Sequence, residues 1–101
     1  MFFNYDFMED LFSQTGDFLG NYIGEIVYIE TDQEKHEHLP YVGLVVDYDR
    51  YSIKLNPTRL LNARYPADLG DLAREIRESA ERGEGREIIL GRGVIARMNK
   101  I

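Results

Sequence analysis

The chain lacks cysteine and tryptophan, and only three of its 101 residues are proline. Without cysteine, neither a disulfide framework nor a thiolate metal site can form, which fits a reducing compartment. The sequence has no run of about 18 apolar residues and no basic-then-apolar signal peptide. We therefore expect a cytoplasmic protein that does not contact a membrane.

Basic residues are scarce in the first half of the chain. Residues 1–50 hold 11 acidic side chains against two basic ones, a net charge of -9, whereas residues 51–101 hold 10 basic against seven acidic, a net charge of +3. A protein that binds nucleic acid needs a basic face for the phosphates, so this asymmetry argues against the whole surface being a nucleic-acid footprint. A small basic pole in the second half stays available for it.

The composition that is present is typical of a folded protein. Hydrophobic residues make up 44% and aromatic residues 12% of the chain, and the length predicts one domain spanning residues 1–101. An amphipathic helix is predicted from Asp6 to Gly16, and strands at Asn21–Asp32, Tyr41–Tyr48 and Tyr51–Asn56. In the third strand, the alternation predicts that Tyr51, Ile53 and Leu55 share the buried face.

The second half predicts one more helix and two short strands. Residues 57–85 contain Pro66 at a helix start, a narrow apolar stripe, and Arg82-Gly83 at the helix end. Strands follow at Glu87–Leu90 and Val94–Met98, on either side of Gly91-Arg92-Gly93. The expected fold class is mainly β (α+β), in which five antiparallel strands close into a barrel or pair with a neighbour, because open edges invite association.

The segment GLVVDYDRYSIKL places an acidic, aromatic turn between two strands and contains no glycine or proline in that turn. Together with FLGNYIGEIVYIE and IILGRGVIARM, it resembles the Sm-like (LSm) family. Gly43, Val45 and Asp49 match the offsets of that family's first signature, and Ser52 stands where the family has asparagine. In the second signature, Ile89, Gly91 and Val94 match. Leu90 stands where the family has arginine, and Arg92 follows two residues later.

The resemblance implies a five-stranded antiparallel Sm/SH3-like barrel with an N-terminal helix, here with a helical insertion between strands three and four. It also implies a homo-oligomeric ring that binds single-stranded RNA and is not an enzyme. Asp49 would hold the turn by accepting backbone hydrogen bonds, Tyr51 would stack on a base, and Ser52 and Arg92 would complete the site. Lys54 and Arg97 would meet phosphates.

Other interpretations of these residues stay open. An alternative interpretation of Tyr51 is an ordinary cross-strand aromatic residue. The acidic first half also fits an inhibitor or scaffold that binds a protein partner, for example by imitating nucleic acid. The segment EKHEH, with His36 and His38, is interpreted as an exposed loop, so no metal and no cofactor is predicted.

Overall fold

A computed structural model describes residues 18–32, 39–62 and 68–101. A short 3-10 helix, Phe18–Tyr22, leads into the sheet, and a second, Arg92–Val94, joins the last two strands. Among the described residues, one α-helix is present, and it lies between the third and fourth strands, as the sequence predicts. The elements in chain order are β1 (Ile26–Thr31), β2 (Tyr41–Tyr48), β3 (Ser52–Leu60), α1 (Leu69–Glu81), β4 (Arg86–Gly91) and β5 (Ile95–Lys100).

The five strands form one antiparallel sheet in the order β4-β3-β2-β1-β5. Val27 pairs with Gly43 of β2 on one side and with Lys100 of β5 on the other, so β1 is an interior strand. β4 and β5 therefore occupy the two edges. The mainly β, five-stranded antiparallel prediction is confirmed at this level.

The connection between the two edge strands requires the sheet to bend. Five flat strands would place the edges about 19 Å apart, at about 4.8 Å between neighbours. Only the three residues of the second 3-10 helix separate the end of β4 at Gly91 from the start of β5 at Ile95. The sheet must therefore curl until its two edges approach each other at this corner.

One face of the curled sheet buries most of the apolar side chains. Every strand and the first 3-10 helix contribute to this cluster, which we call the inner core. It consists of Leu19, Tyr22, Val27, Ile29, Val45, Ile53, Leu55, Leu90, Ile95 and Met98. Residues from both edge strands meet in the inner core, as expected for a sheet that bends.

The opposite face carries a smaller cluster, the outer core, made of Ile26, Tyr28, Val42 and Ile76. Ile26 and Tyr28 alternate with the inner-core residues of β1, so this strand is covered on both faces, as its sequence predicts. Helix α1 covers the outer face with the apolar stripe predicted for it, placing Leu69, Leu72 and Ala73 against the cluster.

Helix α1 ends as its sequence predicts. Gly83 has a φ of 69°, and the Gly83 amide donates to the Ala80 carbonyl at 3.1 Å while the Glu84 amide donates to the Ser79 carbonyl at 2.9 Å. This is a Schellman arrangement, in which glycine takes the left-handed conformation without steric cost. The turn directs the chain back toward the sheet.

Several predicted strand boundaries are wrong, among them that of β5, which spans Ile95–Lys100 and not Val94–Met98. Tyr51 lies outside β3 and is 73% exposed, whereas Ile53 and Leu55 are fully buried as predicted. β3 also continues past Pro57 to Leu60, because its pairing with β4 shifts register between Leu55 and Thr58 and so accommodates the missing N–H. β1 begins only at Ile26, since residues 18–22 are helical and Gly24, with a φ of 81°, turns the chain.

Three predictions lie outside the described residues. These are the N-terminal helix from Asp6 to Gly16, the loop that carries His36 and His38, and the helix start at Pro66. Within the described residues, no helix has both the length and the apolar character that a membrane span needs. No group of three or more acidic or histidine side chains in residues 18–32, 39–62 and 68–101 has the arrangement of a metal site.

Candidate functional site

The turn between β2 and β3 is built around the carboxylate of Asp49. Its Oδ1 accepts hydrogen bonds from the backbone amides of Tyr51 at 2.7 Å and Ser52 at 2.8 Å, and from the Ser52 hydroxyl at 3.1 Å. The Asp49 amide in turn donates to the Ser52 carbonyl at 2.9 Å. The predicted aspartate-held turn is confirmed, and it explains why this hairpin needs no glycine.

These contacts also set the charge of the turn. The amide of Tyr51 and the hydroxyl and amide of Ser52 lower the pKa of Asp49 from its ordinary value of 3.8, and the positive charge of Arg92 adds to the effect. Hydrogen bonds that favour the ionised form of a carboxyl act in this direction. Asp49 is therefore an anion at neutral pH, and the turn keeps its amides paired.

The same turn presents Tyr51 to solvent. Its side chain is 73% exposed, and the guanidinium carbon of Arg50 lies 6.0 Å from the ring centroid. The sequence analysis missed Arg50, although its position beside Tyr51 in an exposed turn was a usable signal. The structure thus places an exposed aromatic ring and a cation together at the tip of the hairpin.

Arg92 connects this turn to the corner between β4 and β5. Its backbone amide donates to the Tyr51 carbonyl at 2.9 Å, and its guanidinium carbon lies 5.7 Å from the centroid of the Tyr48 ring. The residue is only 2% exposed. Arg92 therefore supports the turn through its cation–π contact with Tyr48 and through its charge near Asp49. Its side chain is buried and does not reach the surface.

A small pocket of about 150 Å³ opens beside the turn. Asp47, Tyr48, Asp49, Ser52, Lys54 and Ile89 line it. Three of the six residues predicted for the site, Asp49, Ser52 and Lys54, thus meet at one pocket, with Tyr51 at the hairpin tip and Arg92 below. Tyr48 and Ile89 were not predicted to line the site, because they come from β2 and β4 and only their pairing with β3 brings them to the pocket.

The two residues predicted to contact phosphates differ in position. Lys54 lies on β3 at the pocket, and its ammonium is 3.6 Å from a carboxylate oxygen of Glu87. Arg97 lies on β5 opposite Glu30 of β1, and the pair is joined at 3.4 Å. Arg97 is not among the residues that line the pocket, and its role with phosphates stays a prediction.

Comparison of the chain with protein-family models, with curated proteins and with solved structures found no match. The interpretation of the site therefore depends on the geometry of the chain and on the resemblance of its motifs.

Proposed function

We propose that this chain is a non-enzymatic, Sm-like binding module that assembles into a homo-oligomeric ring and binds single-stranded RNA at the β2–β3 turn. The observation that carries the proposal is the exposed ring of Tyr51 on a turn held by Asp49 and supported by Arg92. An exposed aromatic side chain on a rigid support loses little conformational freedom when a base stacks on it.

The groups around Tyr51 suit a nucleotide of an unpaired strand. The base would stack on the Tyr51 ring, and Arg50 and Lys54 would attract the phosphates on either side. Ser52 offers a hydroxyl to a base edge, but the hydroxyl already donates to Asp49. We therefore expect recognition of single strands with weak preference among bases, because stacking is tolerant of sequence.

The edge strands support the proposed self-association. β4 and β5 form the two different edges of the sheet. Pairing β4 of one copy with β5 of the next would therefore be a head-to-tail contact, which closes into a ring when the rotation permits. Ile89 on β4 is 59% exposed, an unusual exposure for a large apolar residue on an edge strand. A neighbouring copy would cover it.

RNA binding is tested by fluorescence anisotropy with a labelled ten-nucleotide oligouridine at several salt concentrations. We expect Tyr51→Ala to weaken binding about tenfold, since a stacked base contributes about 1 to 3 kcal/mol. Tyr51→Phe is the matched control and should retain affinity, because the ring is kept. If the wild-type chain binds no RNA at low salt, the RNA proposal is wrong and the acidic protein-binding alternative gains support.

Assembly is tested separately by native mass spectrometry and light scattering. We expect a closed oligomer for the wild-type chain and a shift toward monomer for Ile89→Lys, because a charge on an edge strand opposes pairing. Leu60→Lys is the matched control, since Leu60 is also 59% exposed but lies on the interior strand β3. A monomeric wild-type chain would contradict the ring.

A further inference from the structure

A second, larger depression lies at the other end of β3, away from Tyr51. Its volume is about 480 Å³, within the range of about 300 to 1,000 Å³ typical of small-molecule sites. Strands β2, β3 and β4 supply its walls. It is lined by Tyr41, Thr58, Arg59, Leu60, Arg86 and Ile88, and we call it the arginine groove.

Two arginines line the arginine groove, but only Arg86 offers it a positive charge. Arg59 pairs with Val42 of the outer core, so its side chain lies on the outer face, where it forms an ion pair with Glu75 of helix α1. Arg86 is exposed, and its guanidinium forms no ion pair within the part of the chain that the structure describes. Arg86 therefore adds a positive charge without an ion-pair partner among the described residues to the lining of the groove, in a chain whose net charge is -6.

The remaining walls are apolar and aromatic. Tyr41 and Ile88 are half-buried and pack against the inner core, which fixes their positions. Thr58 is 8% exposed, and its hydroxyl donates to the Leu55 carbonyl at 3.0 Å. The hydroxyl can therefore only accept a hydrogen bond from a ligand. The groove therefore combines aromatic and aliphatic side chains that pack against the inner core with the cation of Arg86.

We propose that the arginine groove binds one nucleotide, with its phosphate at Arg86 and its base against Tyr41. A guanidinium presents a planar fork of donors that matches phosphate oxygens. The aromatic ring and Leu60 offer the base an apolar surface. An aliphatic anion such as a carboxylate would leave that surface unused.

The arginine groove is distinct from the site at Tyr51. Ser52 and Leu60 stand at opposite ends of β3, about 26 Å apart at about 3.3 Å per residue. One bound nucleotide cannot reach both. The ligand is either a free nucleotide or a nucleotide within a longer single strand, and only the second source rests on the proposed function.

The first experiment uses adenosine 5′-monophosphate as the probe, with amide chemical shifts of the full-length chain as the readout. We expect saturable shifts at Tyr41, Leu60 and Arg86, and about tenfold weaker binding for Arg86→Gln, since a charge-assisted hydrogen bond is lost. Arg74→Gln is the matched control. It removes the same charge from an exposed arginine, paired with Asp71, that does not line the groove.

A second ligand tests the role of the phosphate. Adenosine without phosphate should bind at least tenfold more weakly than the monophosphate. Equal weakening by Arg74→Gln and Arg86→Gln, equal affinity for adenosine, or no shifts at the groove at millimolar nucleotide would each overturn the proposal.

A longer probe separates the two sources of the nucleotide. If the ligand is part of a strand, a ten-nucleotide oligoadenosine should bind more tightly than the monophosphate, and Arg86→Gln should weaken both. Tyr51→Ala should weaken the oligonucleotide alone. Loss of monophosphate binding in Tyr51→Ala would contradict a separate groove, whereas failure of oligonucleotide binding with intact monophosphate binding would contradict only the proposed RNA function.

Discussion

The two faces of the sheet are covered in different ways. The inner core draws on all five strands and on the first 3-10 helix, so its contacts join segments that are far apart in the sequence. The outer core depends on one inserted helix that presents a single buried isoleucine, Ile76, to three residues of β1 and β2. The sheet and its turns thus belong to the inner core, whereas helix α1 is a cover added to them.

The candidate site follows this division. Tyr48, which contacts Arg92, packs against the inner core, and no residue of helix α1 lines the pocket beside Asp49. Damage to the outer face should therefore lower stability and leave the turn intact. The following changes test the comparison in order of decreasing expected effect.

Ile29→Ala should have the largest effect. Ile29 is fully buried in the inner core on an interior strand, where neighbours on both sides prevent the walls from closing over the cavity. We expect the free energy of unfolding to fall by about 4 kcal/mol, near the upper end for such truncations. Urea unfolding followed by circular dichroism measures it, and a loss below that of Ile76→Ala would contradict the ranking.

Gly85→Ala acts where the helical insertion rejoins the sheet. Gly85 has a φ of 115°, and an added Cβ would collide with the Cβ of Pro57 on β3. Strain and overpacking together should cost about 3 kcal/mol. Gly70→Ala is the control, because a Cβ there meets no atom within 4 Å. Equal melting temperatures for the two variants would refute the packing argument.

Ile76→Ala makes on the outer face the same change that Ile29→Ala makes on the inner face. Ile76 is fully buried, but helix α1 can shift to fill part of the cavity, so we expect a loss of about 2 kcal/mol. Hydrogen exchange should accelerate in residues 69–81 more than in the strands. Oligouridine affinity should stay unchanged, and a drop in it would show that helix and site are coupled.

Asp49→Ala should have the smallest effect on stability, confined to the turn. Because the folded pKa of Asp49 lies below its ordinary value, the ionised form stabilises the fold above about pH 4, and this contribution is lost as the pH falls through the lowered pKa. The variant should melt a few degrees below wild type at pH 7. Plotted against pH, the melting temperatures of variant and wild type should converge below pH 3.8, the ordinary pKa of the Asp49 side chain. A difference that stays constant with pH would contradict this account.

The sequence predicts features whose cause is local. The strand Tyr41–Tyr48, the stripe of helix α1 and the turn held by Asp49 all follow from side chains close together in the chain. The alternation of Tyr51, Ile53 and Leu55 predicts a wrong start for β3. Nothing in that pattern shows that the turn held by Asp49 extends as far as Ser52. The passage of β3 beyond Pro57 depends on a register shift against β4, which no local pattern contains.

The burial of Arg92 and the arginine groove are also products of the tertiary fold. An arginine between two glycines suggests an exposed turn, yet the bend of the sheet places Tyr48 over its guanidinium. The groove joins residues from β2, β3 and β4, of which Tyr41 and Arg86 are 45 positions apart in the sequence. Such a site becomes visible only when strand pairing is known.

The pairing of β1 with β5 has a consequence for synthesis of the chain on the ribosome. β1 lies inside the sheet, yet one side of it stays unpaired until Lys100 has been made and can meet Val27. Until then, β1 exposes backbone groups that can pair with another nascent chain. Contacts this distant in sequence are typical of slow folding, in milliseconds to seconds, so early release or crowding of ribosomes should favour aggregation through β1.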